Sequence, residues 1–154
     1  TGNLLSQIDP DDYPLLFKET QAEWGPLTLQ FQMGSIPEHL ISNVTICSYI
    51  GNDWVIIRLD TGWTATGGTL EPGESYDDAI RRELIEEAGA ELVSDFRLFG
   101  GYRMVSSADG PYRPHLPYPC RIERWASERF GLSPIRRIPR MVSRFVKSAR
   151  SHWT

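Results

Sequence analysis

The segment at residues 68–90, GTLEPGESYDDAIRRELIEEAGA, decides the fold, because its local signals predict a helix over residues 75–88. Ser75 is a good N-cap, and two aspartates follow it in the first turn, where the helix dipole favours negative charge. Gly89 suits the left-handed position that ends a helix. At about 100° per residue, one face of this helix is apolar and contains Tyr76, Ala79, Ile80, Leu84 and Ala88.

Three glutamates conflict with that apolar arc. Glu83 and Glu87 fall inside the arc, and Glu86 lies at its edge. Carboxylates spaced three and four residues apart repel one another, and those turned toward a core lose solvation. A cation among them would relieve both effects, and clustered carboxylate oxygens are ligands for hard divalent ions such as Mg²⁺ or Mn²⁺. The alternative is a solvated acidic face, which the position of the glutamates in the arc disfavours.

The residues before the helix extend this interpretation. Gly67 and Gly68 allow the backbone to approach a ligand closely, and a backbone oxygen of either residue is well placed to complete a metal shell. The Pro-Gly pair at 72–73 predicts a tight turn. Glu74 precedes the helix and Arg82 lies two turns into it. We expect these two residues to form an ion pair that fastens the loop to the helix, which is a structural role.

This segment resembles the Nudix box, G-x5-E-x7-R-E-U-x-E-E-x-G-U, in which U is aliphatic. Its fixed positions are filled by Gly68, Glu74, Arg82, Glu83, Leu84, Glu86, Glu87 and Gly89, with Ala90 in the last apolar place. Seven glycine or polar identities, each at roughly one in fifteen background usage, give a chance of about 10⁻⁸ per start position. The resemblance implies the Nudix fold, which is an α+β protein (an α/β/α sandwich) with a mixed β-sheet between helices.

The resemblance also implies an activity. Nudix enzymes are Mg²⁺-dependent hydrolases of the pyrophosphate bond in a nucleoside diphosphate linked to another group, such as a nucleotide sugar, an ADP-ribose-like compound or a nucleoside triphosphate. Glu83, Glu86 and Glu87 would be the catalytic residues and, with Gly67, the metal ligands. The base that takes the proton from water is either a box glutamate, here Glu83, or an acid of a later segment, for which the candidates are Asp109, Glu123 and Glu128.

Two other functions stay open at this point. One is a catalytically silent Nudix-fold module that binds nucleotides or regulates another protein, which a degenerate box would favour. The other is an RNA-end pyrophosphohydrolase, which an extended basic surface would favour. The box is intact, and the predicted terminal helix alone offers a basic face.

Arginines and aromatic residues outside the box are candidates for substrate binding. Arg58 ends a strand that runs toward the box and could meet a phosphate, with a salt bridge at the rim as the alternative. Residues 106–120, SSADGPYRPHLPYPC, form a loop whose aromatic rings either stack on a base or pack on the loop itself. The substrate-binding candidates are Arg58, Arg103, Tyr112 and Arg113.

The whole chain is compatible with a single enzyme domain. We expect 154 residues to form one Nudix domain, in which residues 1–42 are an extension that packs on the core or forms a homodimer. The net charge of −4 argues against a nucleic-acid partner. No apolar run is long enough to span a membrane, and no signal peptide is recognisable. We therefore expect a cytoplasmic enzyme with a small nucleotide substrate.

The pattern outside the box predicts mostly strands. A short helix is expected within residues 11–24, and Gly100 and Gly101 indicate a bulge or a close backbone approach. An amphipathic helix is expected at residues 139–151. Strands are predicted at residues 27–31, 44–50, 54–59, 63–66, 96–105 and 121–126.

Overall fold

The computed structural model describes residues 9–50, 53–93, 95–128 and 132–134. Strands predominate and one longer helix lies between them, so the α+β class is confirmed. In chain order the described helices and strands are α1 (Pro14–Phe17), β1 (Thr20–Gln21), β2 (Leu27–Met33), β3 (Ile41–Ile50), β4 (Asp53–Val55), β5 (Ile57–Leu59), β6 (Gly62–Thr64), β7 (Thr66–Thr69), α2 (Tyr76–Glu83), β8 (Ala90–Leu92), β9 (Phe96–Ser106), β10 (Cys120–Glu128) and β11 (Leu132–Pro134). Short 3₁₀ turns span Pro10–Asp12 and Glu38–Leu40, and a π-helical turn spans Leu84–Ala88.

The described chain divides into two compact units. The first is built from the described parts of residues 1–42 and 99–125, and the second from those of residues 43–98 and 126–154. In the first unit, β1 pairs with β2, and β2 pairs antiparallel with β9 from Leu27 opposite Ser106 to Met33 opposite Gly100. The segment before residue 42 therefore contributes strands to the same sheet as β9.

Phe31 is the centre of the core of the first unit. Its side chain is only 4% exposed, and its ring lies 5.7 Å from the ring of Phe17 and 5.1 Å from that of Tyr102. The rings of Phe99 and Trp125 complete this cluster at 6.5 Å each. Edge-to-face contacts of this kind add to the free energy that burial of the rings already contributes.

The close backbone approach predicted at Gly100 is confirmed. A Cβ atom at this position would lie 2.7 Å from Cζ of Phe31 and 2.8 Å from the carbonyl oxygen of Gln32. Both distances are shorter than real Cβ contacts, so the aromatic cluster can lie flat on β9 only because the residue has no side chain.

The second unit places the box helix on a small sheet. β3 pairs antiparallel with β7, from Asn43 opposite Thr69 to Ile46 opposite Thr66, and with β4 from Ser48 opposite Val55 to Ile50 opposite Asp53. Two further antiparallel pairs join β5 to β6 and β8 to β11. Apolar side chains of the sheet and of α2 form its core, namely Val44, Ile46, Val55, Ile57, Ala79, Ile80, Leu84 and Ala90.

Most strand predictions are confirmed, and the helix predictions are confirmed in part. The predicted strand at 54–59 is two strands, and the helix expected within 11–24 is reduced to α1 and a 3₁₀ turn. The predicted terminal helix at 139–151 lies outside the described residues. Within the part of the chain that the structure describes, no helix has the length and apolarity needed to cross a bilayer.

The packing around Phe31 generates a stability prediction. We expect Phe31→Ala to lower the free energy of unfolding by about 3–5 kcal/mol, because the substitution leaves a cavity among four aromatic rings. Urea unfolding followed by tryptophan fluorescence measures this change. Leu15→Ala is the matched control, since Leu15 is 87% exposed and its loss should cost no more than about 0.5 kcal/mol. Equal unfolding midpoints for the two variants would contradict the assignment of Phe31 to the core.

Candidate metal centre

The start of α2 is fixed by a reciprocal cap. The Ser75 hydroxyl accepts a hydrogen bond from the backbone N–H of Asp78 at 3.2 Å and donates one to the Asp78 carboxylate at 2.8 Å. Ser75 has extended backbone angles, as an N-cap residue should. The predicted N-cap is therefore confirmed, and it sets the rotation of the helix that carries the three glutamates.

The end of the helix differs from the sequence prediction. The predicted regular helix to residue 88 is wrong over its last turn, because Leu84–Ala88 is π-helical. Gly89 then adopts the left-handed conformation, with φ 59° and ψ 40°, and its N–H donates to the carbonyls of Ile85 and Leu84. The wider turn changes the spacing between Glu83 and the two glutamates that follow it. Single π turns of this kind occur often at functional sites.

Arg82 connects the loop, the strand and the helix. Its Nε donates to Glu74 Oε1 at 2.8 Å and its Nη2 to Glu74 Oε2 at 3.0 Å, so the expected ion pair is present as a two-bond fork. Nη2 also donates to the carbonyl of Thr69 at 3.2 Å. The hydrogen bond between the two side chains raises the pKa of Arg82 and lowers the pKa of Glu74. The loop from Thr69 to Glu74 is thus held by one guanidinium.

The same guanidinium also contacts two box glutamates. Arg82 Nη1 donates to Glu83 Oε1 at 2.8 Å and to Glu86 Oε2 at 3.2 Å. Glu83 is 8% exposed, whereas the Glu86 side chain is 59% exposed. A carboxylate as buried as that of Glu83 needs a cationic partner, and Arg82 supplies it.

Gly68 makes room for the buried carboxylate. A Cβ atom at Gly68 would overlap the carboxylate of Glu83, including its Oε1 and Cδ atoms. Gly68 lies opposite Val44 in the pairing of β7 with β3, so the carboxylate lies directly against this strand. The requirement for glycine at this position is therefore a requirement for space.

Glu87 accepts a hydrogen bond from Gly67, the residue next to Gly68 on β7. The backbone N–H of Gly67 donates to Glu87 Oε2 at 3.0 Å. Gly67 and Gly68 therefore place consecutive backbone units of β7 against Glu87 and Glu83 respectively. The two glycines and the box glutamates lie together, as the sequence led us to expect. The metal-ligand role of the Gly67 oxygen stays a prediction.

The carboxylate oxygens of the three glutamates are suitable ligands for a hard divalent cation, although the carboxylates do not converge on one point. Among the described residues, no three His, Cys, Asp or Glu side chains surround a common point. Arg82 draws Glu83 and Glu86 to one side, while Glu87 turns to Gly67. All three are oxygen donors on one helix end, which is the ligand type that Mg²⁺ and Mn²⁺ prefer. A cation would have to replace Arg82 on two of them.

The four substrate-binding candidates lie in different places. Arg58 is exposed on β5 in the second unit, with Cζ 5.4 Å from the Trp63 ring centroid. Among the described residues the Arg58 guanidinium contacts Trp63, and its role toward a phosphate stays a prediction. Arg103 is exposed on β9, opposite Gln30, in the first unit.

Tyr112 and Arg113 lie in the loop between β9 and β10, also in the first unit. The Arg113 Cζ is 5.7 Å from the Tyr112 ring centroid. The loop packs partly on itself, because Leu116 is 7% exposed and its N–H donates to the Arg113 carbonyl at 3.0 Å. Tyr112 nevertheless remains 69% exposed, so its ring is available to a ligand.

Sequence reasoning missed two candidate residues, Trp24 and Arg121. Both line a cavity that the loop around Tyr118 helps to form. No local signal identified them, because the segments that meet there are about eighty residues or more apart in sequence. The carbonyl of Thr69, which accepts from Arg82, was also missed, since backbone acceptors leave no trace in residue type.

The contact between Gly68 and Glu83 generates a coupling prediction. We expect Gly68→Ala to destabilise the protein by about 1–3 kcal/mol, because the added methyl group forces the Glu83 carboxylate away from Arg82. The loss should shrink when the same substitution is made in a Glu83→Ala background, and denaturant unfolding of the four proteins measures this coupling. Gly25→Ala is the control, since a Cβ there meets nothing within 4 Å. A coupling free energy of zero would contradict the contact.

The ion pair of Glu74 generates a pH prediction. The pKa of Glu74 lies below its ordinary value of 4.5 in the folded protein. Its contribution to stability is therefore complete above pH 4.5 and is lost as the pH falls through the lowered pKa. We expect the difference in unfolding free energy between the native protein and Glu74→Gln to shrink as the pH falls below 4.5. Denaturant unfolding between pH 7 and pH 3 measures it, with the exposed Glu91→Gln as control. A difference that does not depend on pH would contradict the ion pair.

Comparison with known proteins identifies the family. The family model described as the NUDIX domain matches residues 52–130, which is slightly more than half of the chain. The nucleoside triphosphatase NudI of Escherichia fergusonii is 33% identical over 92 residues, which are 49% of this chain and 65% of that protein. NudI of an Enterobacter species is 35% identical over 66 residues, which are 38% of this chain and 47% of that protein. The chain thus spans just under two thirds of the E. fergusonii relative and about half of the Enterobacter one.

A solved structure shows the same fold. The pyrophosphohydrolase BsRppH of Bacillus subtilis has a TM-score of 0.57 and 21% sequence identity, and the alignment covers 75% of this chain and 68% of that one. The match to the family model includes the whole of α2, the π turn and the loop that Arg82 holds. The chain therefore belongs to the Nudix family.

Proposed function

We propose that this protein hydrolyses a phosphoanhydride bond of a nucleotide, with Mg²⁺ or Mn²⁺ held by Glu83, Glu86, Glu87 and the backbone of Gly67. The observation that carries the proposal is the placement of two carboxylates, those of Glu83 and Glu87, against two consecutive glycines of β7. A structural helix does not need a carboxylate that is 8% exposed in its apolar face. A helix that binds a cation does need such a carboxylate.

The proposed reaction is an attack of water on one phosphorus of the P–O–P bridge. The new bond joins the water oxygen to that phosphorus, the bond from phosphorus to the bridging oxygen breaks, and two phosphorylated products leave. A bound divalent cation would supply charge neutralisation at the phosphates and a lowered pKa for water. The proton of the attacking water passes to a carboxylate of the protein, for which Glu83 and later acids such as Asp109 and Glu123 are the candidates.

The contacts of Arg82 allow Glu83 and Glu86 to leave it for a cation. If Glu83 and Glu86 turn away, Arg82 still has both oxygens of Glu74 and the carbonyl of Thr69 as acceptors. The Arg82 side chain is 26% exposed and then keeps three hydrogen bonds, so releasing the two glutamates costs little. Glu86 is the carboxylate that can reorient most easily, because its side chain is 59% exposed. Arg82 thereby neutralises Glu83 and Glu86 until a cation takes its place.

Nucleoside triphosphates are the first substrates to test. The relatives NudI are named nucleoside triphosphatases and BsRppH a pyrophosphohydrolase, and all three names describe cleavage of phosphoanhydrides. Arg58, Arg103 and Arg113 are the proposed phosphate contacts, and Tyr112 is a proposed contact for the base. Nucleotide sugars and ADP-ribose-like compounds carry the same bond and belong in the same test.

The test is an assay of released phosphate and pyrophosphate over a panel of nucleoside triphosphates, nucleotide sugars and ADP-ribose. We expect hydrolysis of at least one compound with Mg²⁺ or Mn²⁺, and its loss when a chelator is added. Glu87→Gln should lower kcat by roughly 10²-fold or more, the scale seen when one preorganised electrostatic group is removed from a site.

Glu91→Gln is the matched control for this variant. Glu91 lies four residues after Glu87, on β8, and is exposed. Both substitutions remove one carboxylate without changing the side-chain volume, so only the position differs. Full activity in Glu87→Gln, with both variants folded, would refute the metal assignment. Activity that persists in a chelator would refute the need for a cation.

A further inference from the structure

A cavity of about 200 Å³ lies within the first unit, and Tyr112, one of the substrate-binding candidates, is part of its wall. Two chain segments form it, the turn before β2 and the loop between β9 and β10. Aromatic and proline rings provide most of its walls, with one arginine among them. The side chains that matter for its chemistry are those of Trp24, Tyr112, Tyr118, Pro119 and Arg121.

A backbone hydrogen bond joins the two segments, and two more hydrogen bonds brace the loop between β9 and β10. The N–H of Ser107 donates to the carbonyl of Pro26 at 3.0 Å, and the N–H of Ser106 donates to the carbonyl of Pro119 at 2.9 Å. The Tyr118 hydroxyl donates to the carbonyl of Ala108 at 2.6 Å, which fixes that ring across the loop. Walls that are tied in this way need little ordering when a ligand enters, so less affinity is lost.

Arg121 is the polar group of the cavity. Its Cζ lies 5.3 Å from the ring centroid of Tyr112, which orients the guanidinium plane. Its Nε–H is buried and has no hydrogen-bond acceptor among the described residues. Burial also lowers the pKa of Arg121, although an arginine stays charged at neutral pH. A half-buried guanidinium whose buried Nε–H is unused favours a ligand that brings acceptors.

The walls and the arginine together define the chemistry of the ligand. Trp24 is 68% exposed and Tyr118 is 44% exposed, so both can offer ring faces to a planar group. None of the described residues that line the cavity is acidic, which disfavours a cationic ligand. The volume lies below the roughly 300–1,000 Å³ usual for whole small molecules. The cavity therefore suits one planar ring system with acceptors on its edge.

We propose that this cavity binds a guanine base, whose ring packs against Trp24 and Tyr118 and whose O6 and N7 accept hydrogen bonds from Arg121. Guanine presents two adjacent acceptors that match the guanidinium fork, whereas adenine places an amino donor beside its single N7 acceptor. This proposal rests on the proposed function only in taking the substrate to be a nucleotide. It names the base that the substrate carries.

The test is a calorimetric titration of the whole protein with GMP, AMP, UMP and CMP in the presence of EDTA. These monophosphates have no anhydride bond, so binding is measured without turnover. We expect GMP to bind at least about ten-fold more tightly than AMP. Arg121→Lys should remove that preference because it keeps the charge but loses the fork, and Trp24→Ala should weaken GMP binding about five-fold or more.

Matched controls separate the cavity from general effects on the surface. Arg97→Lys changes an exposed arginine on β9, and Trp54→Ala removes a tryptophan that is 51% exposed on β4. Both should leave GMP binding unchanged. Trp24 is largely exposed, so Trp24→Ala is expected to fold even if Arg121→Lys does not.

Each result decides the proposal. Absence of GMP binding, equal affinity for GMP and AMP, or GMP binding that survives both cavity substitutions would overturn it. GMP binding with the expected pattern in a protein that hydrolyses no anhydride would sink the proposed function while the base site stands. Hydrolysis of nucleoside triphosphates without any guanine preference in the titration would refute the guanine site and leave the proposed function standing.

Discussion

The rest of the box depends on one compensated burial, the carboxylate of Glu83 packed against Gly68. Removing that carboxylate from water costs several kcal/mol unless a charge of opposite sign is near. Arg82 supplies the charge, and its remaining donors are used by Glu74 and Thr69. The loop geometry and the glycine in the strand both follow from keeping this one contact satisfied.

Local chemistry made this part of the protein predictable. Ser75, Gly89 and the spacing of Glu74 from Arg82 each act within one or two helical turns, so the sequence around them contains what is needed. The π turn at Leu84–Ala88 was not predictable from the same signals, because a π turn has no residue signature of its own. The sequence placed Glu83 inside the apolar arc and Glu86 at its edge. In the structure Glu83 is buried and Glu86 is exposed, as that placement indicates.

Long-range pairing limited the prediction elsewhere. The close backbone approach at Gly100 was predictable, because a pair of glycines inside a strand indicates a bulge or a close backbone approach. The two-residue strand β1 and the pairing of β8 with β11 were not, because short strands depend on partners that composition does not reveal. Arg121 was predicted as one residue of a strand and lies on β10, and its place in a cavity follows only from the contact of the loop before β10 with the segment around Trp24.

The groups proposed for catalysis and those proposed for base recognition are distributed differently along the chain. The groups proposed to hold the cation are contained in twenty-three consecutive residues, 68–90, together with Gly67, so one short stretch of chain sets their geometry. The groups proposed for base recognition come from two segments that meet only in the folded chain. Neither Trp24 nor Arg121 takes part in the contacts among Glu74, Arg82 and Glu83. We therefore expect substitutions that alter the cavity to leave those contacts of the box in place.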